Sequence, residues 1–338
     1  MNYGLQHIAK IAGVSKSTVS RVINDQPNVS EDTRRRVLEA INVSGYRPNK
    51  AARALVTRQT RVLSIVIPTE MSATFTDPYF PALVQSISLA ANECNYAVML
   101  WVGNNAEEAE RYCDRILNNG FFDGVIIASS VDDDPLLKRL VQTELPHVLI
   151  GPEQEQVQCS IDVDNRSASC DAVTHLLNLG FRRVGTITGP LNTGAARARL
   201  DGYRDALEQA GITVDEALVV QGTFNEASGY AAMNILIARG IDAVFCASDM
   251  MALGALRALL DAGLQVPDDV ALVGFDDMPF AATTHPPLTT VRQPIAELGR
   301  KAVKLLISLI EGEPLSSKQM VLKAHLIVRS TCGTAKIA

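Results

Sequence analysis

No C-x-x-C pair occurs among the six cysteines of this 338-residue chain (Cys94, Cys113, Cys159, Cys170, Cys246, Cys332). Most stand beside apolar residues, as in Val244-Phe245-Cys246-Ala247. That pattern fits reduced, buried thiols and not a disulfide framework. The five histidines (His7, His147, His175, His285, His325) are too dispersed for an H-E-x-x-H or other zinc pattern, so no metal is expected. No apolar run approaches the ~18–20 residues of a membrane span. The N-terminal Met1-Asn2-Tyr3-Gly4-Leu5-Gln6-His7 lacks the basic and apolar regions of a signal peptide. A cytoplasmic protein with no membrane partner is expected. No G-x-G-x-x-G follows the first strand and no G-x-S-x-G elbow is present. Gly189-x4-Gly194 resembles half a phosphate loop, but Ala195-Ala196 stand where Lys and Ser/Thr must be, so nothing grips a triphosphate. The chain is expected to be no enzyme and to carry no cofactor.

What is present is uneven. The formal net charge is −6, yet residues 1–60 hold ten Lys/Arg against four Asp/Glu, a net of +6. The rest holds 21 against 33, a net of −12. Such asymmetry suggests a basic module that meets a polyanion and an acidic body that does not.

Three short helices are expected in the first 45 residues. Leu5, Ile8, Ala9 and Ile11 fall at helical spacing and stop at Gly13, where a turn can take positive φ. Ser15 is a good N-cap for a second helix, 16–23, with Val19, Val22 and Ile23 inward. Asn24 to Asn28 breaks it. Ser30 caps a third, with Glu31 and Asp32 in the first turn and Val37, Leu38 and Ile41 inward. The spacing Ala9-x3-Gly13-x5-Val19 is the packing skeleton of a helix-turn-helix: a small residue where helices cross, glycine at the turn, a β-branched residue where the second helix docks. A short basic segment, Lys50 to Arg61, follows as a linker.

From Val62 the pattern becomes short β-branched runs alternating with helices. Strands are expected at 62–68, 97–102, 124–128, 147–151, 183–189, 243–248 and 270–275, with helices such as 80–95, 106–119, 165–179, 195–210, 225–239 and 249–262. This implies right-handed βαβ units and parallel sheets covered by helices, too many units for one sheet. Two doubly wound lobes are expected, with a ligand crevice between them beyond the carboxyl ends of the strands.

One ordered set of motifs runs the length of the chain: Ile8-Ala9-x-x-Ala12-Gly13-Val14-Ser15-x-x-Thr18-Val19-Ser20-Arg21-Val22-Ile23-Asn24, Val29-Ser30, Gly45-Tyr46-x-Pro48-Asn49, Gly189-Pro190-Leu191, Leu200-x-Gly202-Tyr203, Phe245-x-x-Ser248-Asp249-x-Met251-Ala252-Leu253-Gly254, Val266-Pro267-x-Asp269-Val270, Val273-Gly274-Phe275-Asp276-Asp277 and Pro287-Leu288-Thr289-Thr290-Val291-x-Gln293. It resembles the lactose/galactose repressor family. The resemblance implies a helix-turn-helix domain (1–47), a hinge helix and linker (48–61), and a two-lobed effector core of the periplasmic-binding-protein type (62–331), with a tail at 332–338. The N-lobe would comprise about 62–162 and 292–322, the C-lobe about 163–291 and 323–331. Crossings between lobes are expected near Asp162–Asp164, Thr290–Gln293 and Val321–His325.

The exposed face of the second helix carries Lys16, Ser17, Ser20 and Arg21. In a major groove Lys and Arg can donate to guanine O6 and N7, and Ser can donate or accept. The resemblance makes these the base readers, and it gives Ser15, Thr18 and Asn24 to phosphates and register. It makes Pro48–Val56 a hinge helix that folds against DNA, wedging Leu55, with Ala52 beside it, into the minor groove and leaving Asn49, Lys50 and Arg53 near the backbone.

In the core, the resemblance assigns Arg197 and Asp276 to the ligand's hydroxyls and Phe224 to an aromatic wall. Tyr79, Phe80, Ser129, Ser248 and Gln293 are further candidates for the effector site. Asp249 and Asp277 suit capping as well as ligand contact, and Arg199 suits either a second ligand arginine or the surface. Ser248 replaces an asparagine of some members and Ala128 a polar residue, which leaves a nucleoside or nucleobase open beside a sugar or sugar derivative. The function expected is a transcriptional regulator, a repressor, whose homodimer binds double-stranded operator DNA under control of a small effector. The absence of leucine heptads after the last strand points to a dimer and not a tetramer. A sugar-binding transport protein shares the two-lobed architecture but needs export and has no use for a basic helix-turn-helix. A metabolic kinase or isomerase with a helical cap would not bind heparin or random DNA through residues 1–60.

Overall fold

The computed structural model describes residues 4–23, 26–46, 59–67, 77–102, 113, 117, 120–128, 131–154, 157–315 and 317–333. The chain divides into two compact units, Met1–Arg61 and Val62–Ala338.

In the first unit α1 (Leu5–Ala12), α2 (Lys16–Ile23) and α3 (Glu31–Ser44) surround a small core of Ile8, Ala9, Ala12, Val19, Val22, Val37 and Ala40. Gly13 ends α1 at φ +65°, a left-handed conformation that glycine adopts without a Cβ clash, and its N–H donates to the Ala9 carbonyl. The Ser15 Oγ then accepts from the Thr18 N–H at 3.1 Å and opens α2. Ser30 Oγ does the same for the Thr33 N–H at 3.4 Å, with Glu31 and Asp32 in the first turn of α3. Leu38, read as inward, is 52% exposed, and Ile11, counted in the apolar spacing of α1, is 49% exposed. The buried stripes run Leu5, Ile8, Ala9, Ala12 and Val37, Ala40, Ile41, so each lies about 110° round its helix from the stripe's centre at ~100° per residue.

The second unit contains two six-stranded sheets. The first has the order β11-β5-β4-β3-β1-β2, built from β1 (Val62–Ile67), β2 (Ala97–Val102), β3 (Gly124–Ala128), β4 (His147–Ile150), β5 (Ser160–Val163) and β11 (Gln319–Leu322), every pair parallel. The second is β12-β10-β9-β8-β6-β7, from β6 (Val184–Thr188), β7 (Val219–Gln221), β8 (Ala243–Cys246), β9 (Ala271–Asp276), β10 (Thr289–Arg292) and β12 (His325–Ile327). Only β12 in that sheet runs antiparallel to its neighbour.

The central strands of each sheet are buried on both faces, so they read as continuous apolar runs. In the second sheet Ala243, Phe245, Val273 and Phe275 pack under α6 (Asn165–Asn178) and α7 (Gly194–Gln209), while Val244, Cys246 and Leu272 pack under α8 (Glu226–Ala238) and α9 (Asp249–Asp261). In the first, α4 (Tyr79–Glu93) and α10 (Ile295–Glu311) cover one face, and α5 (Pro135–Leu140) lies on the other. The alternation reading did not name β7, α5 or α10. Most of the 106–119 helix lies outside the described residues.

The chain passes between lobes three times: at Asp164 (β5 to α6), at Gln293–Pro294 (β10 to α10) and at Lys323–Ala324 (β11 to β12). The body continues to Cys332, which is fully buried with its thiol against Thr289 Oγ1 at 3.2 Å and His175 Nε2 at 3.3 Å. The tail boundary at 332 therefore cuts into packed structure. No helix among the described residues is long and apolar enough to cross a membrane.

Candidate functional site

On α2 the buried residues are Val19 and Val22, which turns Lys16, Ser17 and Arg21 to solvent, with Ser20 at the edge. Ser15 and Thr18 are joined through their hydroxyls at 2.8 Å, and Ser15 also reaches Ser17 at 2.7 Å. These serine and threonine oxygens cap the helix and stiffen its N-terminal turn, the part of a recognition helix that approaches base edges. Asn24 and the hinge residues Asn49, Lys50, Ala52, Arg53 and Leu55 lie outside the described residues.

Between the two sheets of the second unit lies a cavity of about 670 Å³, measured out to its mouth. The carboxyl ends of β5 and β9 and the starts of α6, α7 and α9 converge on it. Thr193 and Ser248 cap α7 and α9 through side-chain oxygens that accept from Ala196 N–H and Met251 N–H.

Along the cavity a chain of polar contacts joins both lobes. Asp162 Oδ1 accepts from the Val163 N–H at 2.8 Å and from Asn165 Nδ2 at 3.2 Å. Asn165 Oδ1 accepts from Arg199 Nε at 2.9 Å, and Arg199 Nη1 donates to the Ala247 carbonyl at 2.6 Å. The same Nη1 lies 3.7 Å from Asp276 Oδ1, which accepts from Gln293 Nε2 at 2.6 Å. The guanidinium rests 3.7 Å above the centroid of the Phe275 ring. Arg199 and Asp276 are both more than nine-tenths buried. Burial dominates their titration. It pushes the Asp276 carboxyl up to about 7 despite Arg199, and it pulls the Arg199 guanidinium down although Asp276, Tyr79 and two further aspartates hold it up. Burial likewise raises Asp162 to about 6 and lifts Asp77.

The walls are aromatic. Tyr79 and Phe80 meet edge to face, centroids 5.2 Å apart, on the first-sheet side. Phe224 stands opposite at φ +60°, its ring so close to Gly189 that a Cβ there would sit 2.0 Å from Cζ. Asp276 is held at φ +123°, an uncommon conformation for a non-glycine residue and one that marks functional sites.

Three comparisons bear on this geometry. Residues 4–49 match the family described as bacterial regulatory proteins, lacI family, and residues 173–332 match the periplasmic binding protein-like domain. The HTH-type transcriptional regulator CelR of Thermobifida fusca is 41% identical over 333 residues, 97% of each chain. The chain belongs to the LacI family. A solved CelR–cellobiose complex is 38% identical with a TM-score of 0.77, covering 98% of this chain and 100% of that one. The lac repressor dimer bound to operator and the anti-inducer ONPF is 29% identical with a TM-score of 0.86, covering 99% and 100%. This LacI-family protein is thus a DNA-binding transcriptional regulator and not an enzyme.

Of the effector residues expected from sequence, Tyr79, Phe80, Phe224, Ser248, Asp276 and Gln293 line the cavity of this LacI-family receptor. Ser129 lies outside the described residues. Arg197 does not line it. Its guanidinium turns outward, pairing with Asp132 at 2.6 and 2.9 Å and with the Leu191 carbonyl at 2.8 Å, because two residues along α7 is 200° of rotation at ~100° per residue. Arg199, left open between site and surface, is the cavity's arginine. Asp249 is fully buried and faces away from the cavity, accepting from Met278 N–H at 2.8 Å and Thr290 Oγ1 at 2.5 Å. Asp277 binds Arg292 at 2.5 Å and Arg329 at 2.6 Å, bracing β10 and the segment after β12. Sequence reasoning missed Asp77, Asn165 and, as a cavity residue, Asp162. The run Asp162-Val163-Asp164-Asn165, a strand end followed at once by a capped helix start, is the signal that could have found the last two.

Proposed function

We propose that this regulator is a repressor whose homodimer grips a pseudo-palindromic operator until a small sugar enters the cleft and changes that grip. The observation that carries the reading is the chain Asp162–Asn165–Arg199–Asp276–Gln293. It faces the cavity, and its ends flank or occupy two of the three crossings between lobes. A ligand that rearranges these contacts acts directly on the hinge. Rotation of one lobe against the other would then alter the spacing of the two DNA-reading units in the dimer, and coupling of this kind is reciprocal. Lys16, Ser17, Ser20 and Arg21 would read bases, with Ser15, Thr18 and Asn24 on the backbone. The segment 48–56 would enter the minor groove by Leu55 and Ala52, with Asn49, Lys50 and Arg53 on phosphates. The proposed setting is cytoplasmic, on nucleoid DNA. CelR, whose solved complex holds cellobiose, and the lac repressor, solved as a dimer on its operator, support both halves of the reading.

The test selects duplexes from a random pool with the full-length protein and follows their binding by fluorescence anisotropy as cellobiose or maltose is added. A specific duplex whose affinity shifts about tenfold or more with one sugar is the expected result. Selection of no duplex, or an affinity indifferent to every small molecule, overturns the reading.

A further inference from the structure

We propose that the cleft selects an uncharged, hydroxyl-rich ligand and rejects phosphorylated or carboxylated forms of the same molecule. The inference rests on the reading of this cavity as the effector site and adds what that reading leaves open, the chemical class admitted. Among the described residues three carboxylates line the cavity: Asp77 ahead of α4, Asp162 at the end of β5 and Asp276 at the end of β9. One cation, Arg199, faces them, and among the described lining residues there is no lysine, histidine or second arginine.

The hydrogen-bond inventory points the same way. Both donor positions of the Asn165 amide are committed, to Asp162 Oδ1 and to the Val163 carbonyl at 3.0 Å, and the Gln293 amide nitrogen is committed to Asp276. Arg199 gives its Nε to Asn165 and its Nη1 to Ala247 and lies beside Asp276, so its Nη2 is the cationic donor left to the cavity. An incoming phosphate or carboxylate would thus meet one free guanidinium nitrogen against three carboxylates. Acceptors are in surplus. Asp77 takes its one bond, from the Tyr79 N–H, on Oδ1, and Asp162 takes both of its bonds on Oδ1. The Oδ2 atoms of both accept nothing among the described residues. A carboxylate oxygen can only accept, so the matching ligand group is an O–H or N–H. A sugar supplies several hydroxyls and an apolar C–H face for Phe224 and the Tyr79–Phe80 pair. Burial raises the titration of Asp77 and Asp162, and Arg199 only partly offsets it.

Isothermal titration calorimetry on the full-length protein at pH 7.5 tests this with matched pairs: cellobiose and cellobiose 6-phosphate, maltose and maltose 6-phosphate, uridine and uridine 5′-monophosphate. For whichever neutral member binds, the phosphorylated partner is expected to bind about a hundredfold more weakly, the factor that one added like charge ~6 Å away carries at an effective dielectric of ~20. Asp162→Asn, which keeps the oxygen that accepts from Val163 and puts an amide donor in place of Oδ2, is expected to weaken the neutral ligand, to strengthen the phosphorylated one and so to narrow that gap about tenfold, with the melting temperature near wild type. Equal or tighter binding of a phosphorylated member overturns the inference and leaves the effector site standing. Binding of uridine alone, with discrimination against its monophosphate, keeps the charge rule and removes the sugar. Silence from every member, charged and uncharged, overturns the effector-site reading and this inference with it.

Discussion

In the three-helix unit, Lys16, Ser17 and Arg21 stand in solvent on a helix whose opposite face, Val19 and Val22, holds the fold. In the two-lobed receptor, Arg199 and Asp276 are buried in the structure they help to hold, and the same atoms face the ligand cavity. The first arrangement separates recognition from stability, since an exposed side chain can change without disturbing the core. The second joins them. A buried charge that loses its partner costs far more than the pair contributed, because the survivor keeps its desolvation penalty.

Arg199→Ala sharpens this contrast with the largest effect. It strands Asp276 in a buried site, takes the donor from Asn165 Oδ1, and removes the cation stacked on Phe275. A loss of about 3–5 kcal/mol of receptor stability is expected together with loss of effector binding. Thermal melts and calorimetry on the same sample measure both, and a stable variant that still binds ligand would break the contrast at its strong end. Arg21→Ala comes next. Operator affinity should fall by about 1–3 kcal/mol, with relaxed preference at one base position. Effector affinity and the melting temperature should not move, since the side chain is exposed on α2. An unchanged operator footprint would remove Arg21 from the reading face.

The same contrast explains what the sequence disclosed. The helix-turn-helix was legible because local rules decide it: Gly13 at positive φ, Ser15 and Ser30 as caps, and an apolar stripe at helical spacing. The error there, Leu38, came from accepting an apolar residue near the stripe as part of it. The lobes were legible as alternating strands and helices, since sheets buried on both faces write themselves as β-branched runs. The cavity was only partly legible. Ser248, Asp276 and Gln293 stand in recognisable motifs, whereas Asp77 enters the site only because separate elements bring it there. No local pattern distinguishes an aspartate that caps a turn from one that also faces a ligand. Arg197 and Arg199 show the limit most clearly: both are basic and two residues apart on one helix, and only the packing of α7 decides which one points inward.

That pair also supplies the smallest expected effect. Arg197 joins α7 to Asp132, just past β3, and beside this ion pair the Asp132 N–H donates to the Asn192 carbonyl at 2.8 Å, so the two lobes touch at the rim of the cleft. Both partners are about half exposed, 45% and 54%, and water screens them. Such pairs contribute ~0–1 kcal/mol and weaken with salt. Arg197→Ala should therefore leave global stability within about 1 kcal/mol of wild type. Because the pair bridges the lobes, effector affinity should shift a few-fold at low ionic strength, and the shift should fade as salt is raised. Calorimetry of the variant at two salt concentrations measures this. A salt-independent loss of binding as large as that of Arg199→Ala would place the Arg197 guanidinium against the ligand, and it would mean that the rim contact gives way when the effector enters.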